Sequence, residues 1–212
     1  MKIAIVGAAG WIGNEVLQEA KSRGHQVIAL VRNPAKISDS QVDVRKFDIT
    51  DTEDSMSKAV QDADVVVSSV SGRHDNDHSI FSTAATRYLS QLPASDIKRL
   101  VWVGGAGSLE IAPGIPLTTS EHFPQEYKAE AQGMSEALNV FNSSNSSLNW
   151  TFISPAANIF PGEKTGKYRT GKDQLLVDDK GESNISASDY AIALVDEIES
   201  AKNPQQRICV AY

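Results

Sequence analysis

A single cysteine among 212 residues means that no internal disulfide can staple this chain. Cys209 lies in the apolar run Arg207–Ala211, where it reads as a small buried side chain rather than a reactive thiol. Basic clusters are also missing: 20 Lys and Arg stand against 27 Asp and Glu, for a net charge of −7. With no run of lysine or arginine there is no electrostatic face for nucleic acid and no anchor for an anionic membrane. No apolar stretch approaches the ~18 residues of a membrane helix. Lys2 and the apolar residues up to Ile12 imitate an export signal, but Asn14, Glu15, Gln18 and Glu19 follow in amphipathic register, so a cytoplasmic protein is the expectation. In that setting the triplets at Asn142 and Asn145 are polar loop, not glycosylation sites. His74, His78 and His122 lack metal-ligand spacing, because His74 and His78 would share a helix face only if a helix already ran through Asp75-Asn76-Asp77, which reads as a helix start. No metal is expected. No internal repeat or low-complexity tract is visible.

What is present begins at the N-terminus. Lys2–Val6 is a near-continuous apolar run, the pattern of a strand buried on both faces. It enters Gly7-Ala8-Ala9-Gly10-Trp11-Ile12-Gly13, a Gly-x-x-Gly-x-x-Gly turn whose glycines let backbone approach a pyrophosphate. The helix that follows, with Ile12, Val16, Leu17 and Ala20 on one stripe and Gly24 at its end, offers its free N–H groups and positive dipole end to phosphate. A second strand at Gln26–Val31 completes a βαβ unit, the context that separates a nucleotide-binding turn from a plain corner.

Further strand-like runs at Asp43–Phe47, Asp64–Val70, Arg99–Val103 and Trp150–Ile153 alternate with helical patterns. With 41% hydrophobic residues, this describes one α/β domain over 1–212: a Rossmann-like, doubly wound parallel sheet of order 3-2-1-4-5-6 with its ligand at the carboxyl ends of the strands. From Pro155 the texture changes to loops and short strands, Leu175–Val177 and Asn184–Ser186, and residues 155–187 are expected to form a small cap on the substrate side. Ser188-Asp189 opens a helix to about Ser200, and Arg207–Ala211 closes as a strand.

The cofactor-handling residues follow from the strand ends. The place about 20 residues past the glycines, where an acid would accept from a ribose 2′-hydroxyl, holds Arg32. A guanidinium binds a 2′-phosphate instead, with Asn33 and Lys36 as further donors, so NADP(H) is favoured over NAD(H). Asp48 is placed to accept from the adenine amine, with Ile49 against the ring; the alternative for Asp48 is a helix cap. Ser69, Val70, Ser71 and Gly72 should pass the ribose and phosphates, and Gly104, Gly105 and Ala106 should border the nicotinamide, where small residues leave room.

Later motifs carry a resemblance: Phe152-Ile-Ser-Pro155-Ala-Ala-Asn, Pro161-Gly-Glu-Lys-Thr165-Gly-Lys-Tyr168-Arg169, Gly171-Lys-Asp173 and Ile185-Ser186-x-x-Asp189-Tyr190-Ala. With the glycine turn, these resemble the atypical short-chain dehydrogenase/reductase group of NAD(P)H-binding proteins and NADH-flavin reductases and, more distantly, the biliverdin reductase B and flavin reductase branch. The likeness spans nearly the whole chain and implies fold and cofactor more specifically than substrate. The wider superfamily uses a Tyr-x-x-x-Lys pair for proton exchange. Here Tyr127 is followed directly by Lys128, with Ala131 four residues on, and Tyr88, Tyr168 and Tyr190 also lack the lysine. Adjacent helical residues point about 100 degrees apart, so alcohol dehydrogenation is disfavoured. Flavin reduction does not need that acid, because the acceptor ring takes up the electrons. The resemblance therefore implies hydride transfer to a flavin or quinone-like small molecule, the flavin (FMN or FAD) being substrate rather than resident cofactor. Ser108, Tyr127 and the loop around Tyr168 are the candidate catalytic contacts. A non-catalytic dinucleotide sensor is the alternative; a nucleotide-sugar epimerase or dehydratase would need a larger cap. The stripe Tyr127, Ala131, Met134 and Leu138 covers the sheet or, in an oligomer, another subunit.

Overall fold

Alternating side chains explain why the strands read as unbroken apolar runs. In the computed structural model, which covers residues 1–212, Ile3 and Ile5 belong to one buried cluster of 25 residues, while Ala4 and Val6 belong to another of 26. Both faces of the strand are dry, so neither parity is free to be polar.

In chain order the elements are β1 (Lys2–Val6), α1 (Trp11–Ser22), β2 (Gln26–Val31), β3 (Asp43–Lys46), α2 (Met56–Ala59), β4 (Val65–Ser68), α3 (Ile80–Gln91), β5 (Arg99–Val103), β6 (Glu110–Ala112) and β7 (Ile115–Pro116). They continue with α4 (Lys128–Asn142), β8 (Asn149–Ser154), β9 (Asn158–Phe160), β10 (Arg169–Gly171), β11 (Asn184–Ser186), α5 (Ala187–Ser200) and β12 (Gln206–Ala211). The main sheet has eight strands in the order β3-β2-β1-β4-β5-β8-β12-β10. Every pairing in it is parallel except that of β10 with β12. This is the expected doubly wound order with two strands added beyond the sixth place. Helices α1 and α5 pack together, as do α3 and α4, and each pair covers one face. None of the helices is long and apolar enough to cross a membrane.

One expectation is corrected here. Leu175–Val177 does not form a strand. Instead Glu110 N donates to Asp173 O at 2.8 Å and Leu175 N to Glu110 O at 2.9 Å, so this segment and the β6–β7 hairpin join through one bridge rather than a ladder. Residues 155–187 also do more than overhang the strand ends. β9 and β11 pair in a small sheet, Lys164 binds Glu19 of α1, the Tyr168 hydroxyl donates to Asp196 of α5, and β10 closes the edge of the main sheet.

Candidate dinucleotide site

Backbone packing dictates the turn after β1. Gly7 has φ +81°, and a Cβ there would lie 2.3 Å from Ser69 O; at Gly13 it would lie 2.2 Å from Gly7 O. Gly10 N donates to Gly7 O at 2.9 Å, closing the turn before α1 begins. Gly10 has no side chain with which to cap α1, and no acidic residue stands in the first helical turn. The N–H groups of Trp11, Ile12 and Gly13 have no protein acceptor, backbone or side chain. Three orphan donors at the positive end of a twelve-residue helix make an anion cradle, and Ala9, Gly10 and Trp11 around it are exposed. A pyrophosphate fits these donors.

One strand away, Arg32 leaves the end of β2 exposed, its Nη1 donating to Asp75 Oδ2 at 3.1 Å. Asn33 spends its side-chain oxygen on the next turn, accepting from Ala35 N at 3.1 Å, and Lys36 ends that turn in solvent. Asp48 spends one carboxylate oxygen on its own turn: Oδ1 accepts from Thr50 N at 2.9 Å and Thr50 Oγ1 at 2.7 Å, and no helix starts there, the next one being capped by Ser55. Ile49 points largely inward. It is 4% exposed, belongs to the core under α3, and forms the one apolar part of a pocket lined by Thr50, Ser82, Thr86 and Arg87.

On the other side of β1, Ser69 and Val70 are half-buried and Ser71 is exposed, while Gly72 is buried beneath a tight loop. Beyond β5, protein stands where a side chain on either glycine would point. A Cβ on Gly104 would lie 2.3 Å from the Phe152 ring, and one on Gly105 would lie 3.0 Å from Met134 Cγ. Ala106 is half-buried, and its carbonyl accepts from Leu109 N at 2.9 Å.

The three candidate catalytic side chains are not brought together. Ser108 turns to β12, where its Oγ accepts from Arg207 Nη1 at 2.8 Å and Arg207 also binds Asp173 at 2.6 Å. Tyr168 turns to α5 and lines a groove of about 520 Å³ with Thr170, Asp196 and Val210. Burial first, and then the Asp196 carboxylate that accepts its proton, push this phenol well above the ordinary tyrosine range. Ser108 and Tyr168 are thus each engaged by a charged partner, Arg207 and Asp196. Tyr127 stands apart from both: it precedes α4, is 48% exposed, and has the Arg73 guanidinium 5.6 Å from its ring centroid. Arg73 also grips Glu130 of α4, Nε to both carboxylate oxygens at 2.9 and 3.0 Å. Sequence reading stopped at Gly72 and missed Arg73, Asp75 and Glu130. The alternating charges of Arg73-His74-Asp75 after a strand end were the available signal.

Fold and turn together define an α/β protein built to hold a dinucleotide at the ends of its strands. The model of the NAD(P)H-binding family matches residues 7–201, and the chain belongs to that family. Among solved structures it is similar to a "putative exported protein" of Burkholderia pseudomallei, with 43% identity, TM-score 0.90 and 100% of both chains covered. It is also similar to a "putative NADH-flavin reductase" of Streptococcus pneumoniae, with 33% identity, TM-score 0.89 and coverage of 100% of this chain and 99% of that one. A third relative, the uncharacterized protein YwnB of Bacillus subtilis, is 38% identical over 99% of this chain and 98% of its own length.

Proposed function

We propose that this NAD(P)H-binding protein is a reductase that prefers NADPH and passes hydride to a flavin, flavin-like or quinone acceptor. The observation that carries this reading is the pairing of two donor sets at one mouth: the orphan amides of Trp11, Ile12 and Gly13, and the exposed guanidinium of Arg32 one strand away. The first suits a pyrophosphate and the second a 2′-phosphate. When bound, the nicotinamide supplies the hydride. The chain itself binds and orients, and it presents no strong acid: Tyr88 and Tyr190 are fully buried with their phenols pushed up by that burial, and Tyr127 has Ala131 where a lysine would activate it. An acceptor whose own ring system takes up electrons suits such a site, and the name of the streptococcal relative supports the same class. Tyr127, exposed at the head of α4, is the aromatic against which such a ring would stack.

The test is NADPH consumption followed by absorbance, with and without FMN, FAD and a simple quinone, alongside calorimetric titration of NADPH and NADH. Turnover that depends on acceptor supports the reading. Tight dinucleotide binding without turnover for any acceptor would replace it with a redox sensor, and absence of binding would remove both.

A further inference from the structure

Between β4 and α3 the chain makes a strap, Gly72 to Asp77, closed on itself by Asp77 N donating to Gly72 O at 3.1 Å. The closure needs Gly72, where a Cβ would lie 2.3 Å from Asp77 O, and it holds Asn76 at φ +50°. Two charged side chains leave this strap in opposite directions. Arg73 reaches Glu130 and Tyr127 at the head of α4. Asp75 reaches Arg32, and its other oxygen lies 2.7 Å from His74 Nδ1. Because β2 and β4 flank β1 on opposite sides, the Arg32–Asp75 pair passes over the end of β1 and the glycine turn.

We infer that Asp75 is a resident counter-anion: in the free protein it occupies the guanidinium that a dinucleotide 2′-phosphate takes over, and the phosphate displaces it. The inference rests on the proposed NADPH reading. A carboxylate and a phosphate monoester seek the same N–H fork, so Arg32 cannot serve both fully. Arg32 and Asp75 are 54% and 60% exposed, and a pair so open to water exchanges partners easily. Hydrogen bonds from His74 and then Arg32 hold the Asp75 carboxyl below its ordinary range, so it is a standing anion at neutral pH. Selectivity between the two dinucleotides is then set by a difference, since only the phosphorylated one must evict Asp75, and eviction frees the strap at its adenosine end.

Adenosine 2′,5′-bisphosphate and 5′-AMP are the probes, titrated by calorimetry at low salt into the intact protein, its Asp75→Asn and Arg32→Gln variants, and the double variant. The expected result is that Asp75→Asn tightens the bisphosphate about two- to five-fold, the range of an exposed ion pair, and leaves 5′-AMP unchanged. The gain should vanish in the Arg32→Gln background and shrink at high salt. Equal tightening of both nucleotides, a gain that survives Arg32→Gln, or no gain at all overturns the inference. If Arg32→Gln by itself leaves the bisphosphate affinity unchanged, the NADPH assignment of Arg32 falls and this inference with it. If Arg32→Gln weakens the bisphosphate and Asp75→Asn does nothing, only the counter-anion falls.

Discussion

Replacing Asp189 by alanine should release the segment that follows β9. This carboxylate is 0% exposed and sits in the first turn of α5. Its Oδ1 accepts from Thr165 N at 2.9 Å and Gly166 N at 2.8 Å, and its Oδ2 accepts from Thr165 Oγ1 and from the Tyr212 hydroxyl, both at 2.6 Å. One side chain thus ties α5, the loop before Tyr168 and the residue after β12. Hydrogen bonds to a charged group contribute about 1.5–3 kcal/mol each in isolation, but they are not additive, and Thr165 and Gly166 are exposed enough to recover water. We expect a loss of about 3–4 kcal/mol for Asp189→Ala and about 1–2 kcal/mol for Asp189→Asn, whose amide can keep some of the partners. For a chain of this length the alanine change lowers Tm by about 6–15 °C. Burial alone would raise the Asp189 pKa, but hydrogen bonds from Thr165, Tyr212 and Gly166 prevail and hold it below the ordinary value. The sign follows from this lowering: the stabilisation is complete above the unfolded-state pKa of ~3.9 and is lost as pH falls through the lower folded value. Urea denaturation of wild type and both variants between neutral and acid pH measures it. The gap between wild type and Asp189→Asn should stay constant near neutrality and close in acid. A loss under about 1 kcal/mol for the alanine variant, or a gap that widens on acidification, would refute the reasoning.

Glu197→Ala should cost about 3–5 kcal/mol, because Arg99, 8% exposed with its guanidinium 2.5 Å from Glu197 Oε1, is left buried without its counter-charge. A joint Arg99→Met and Glu197→Leu replacement should cost much less, and equal losses from the two designs in denaturant melts would sink the ion-pair account. Gly13→Ala must push a methyl to 2.2 Å from Gly7 O, so dinucleotide binding should fall below detection by calorimetry while the protein loses about 1–3 kcal/mol; retained affinity would mean that the turn adapts. Tyr168→Phe removes only the bond to Asp196 and should cost about 0.5–1.5 kcal/mol with kcat unchanged, whereas Tyr127→Ala should raise KM for the acceptor several-fold. The reverse pattern in steady-state kinetics would return Tyr168 to the site. Amide hydrogen exchange should slow on NADPH binding in the turn after β1 and change in the strap 72–77 but not in 161–171, since the strap hangs on exposed ion pairs while Lys164, Thr165 and Tyr168 are pinned to α1 and α5. Uniform protection across both segments would contradict that division.

Sheet and turn were legible because burial on both faces forces a local signature. β1 and β2 need six or fewer residues each to declare themselves, and the start of α5, read at Ser188-Asp189, lies one residue earlier at Ala187, with Ser186 as its cap. What the sequence left hidden depends on partners distant in sequence. Tyr168 sits between Lys167 and Arg169 and reads as a candidate ligand contact, and its phenol finds Asp196, 28 residues on, once α5 packs beside α1. Ile49 is flanked by Asp and Thr like any surface turn, but Arg87 of α3 donates to the carbonyls of Asp48, Ile49 and Asp51, drawing that turn inward. Small residues are ambiguous for a related reason. Gly104 answers to the Phe152 ring as directly as it would to a nicotinamide, and a sequence records only that a side chain is absent, not what fills the space. The strap lies at the far end of this scale. Arg73 and Asp75 gain meaning only when β1 is threaded between β2 and β4, because that crossover sets Asp75 opposite Arg32 over the glycine turn. Local pattern places the scaffold, whereas the partners of the charged groups beside the glycine turn are chosen by topology.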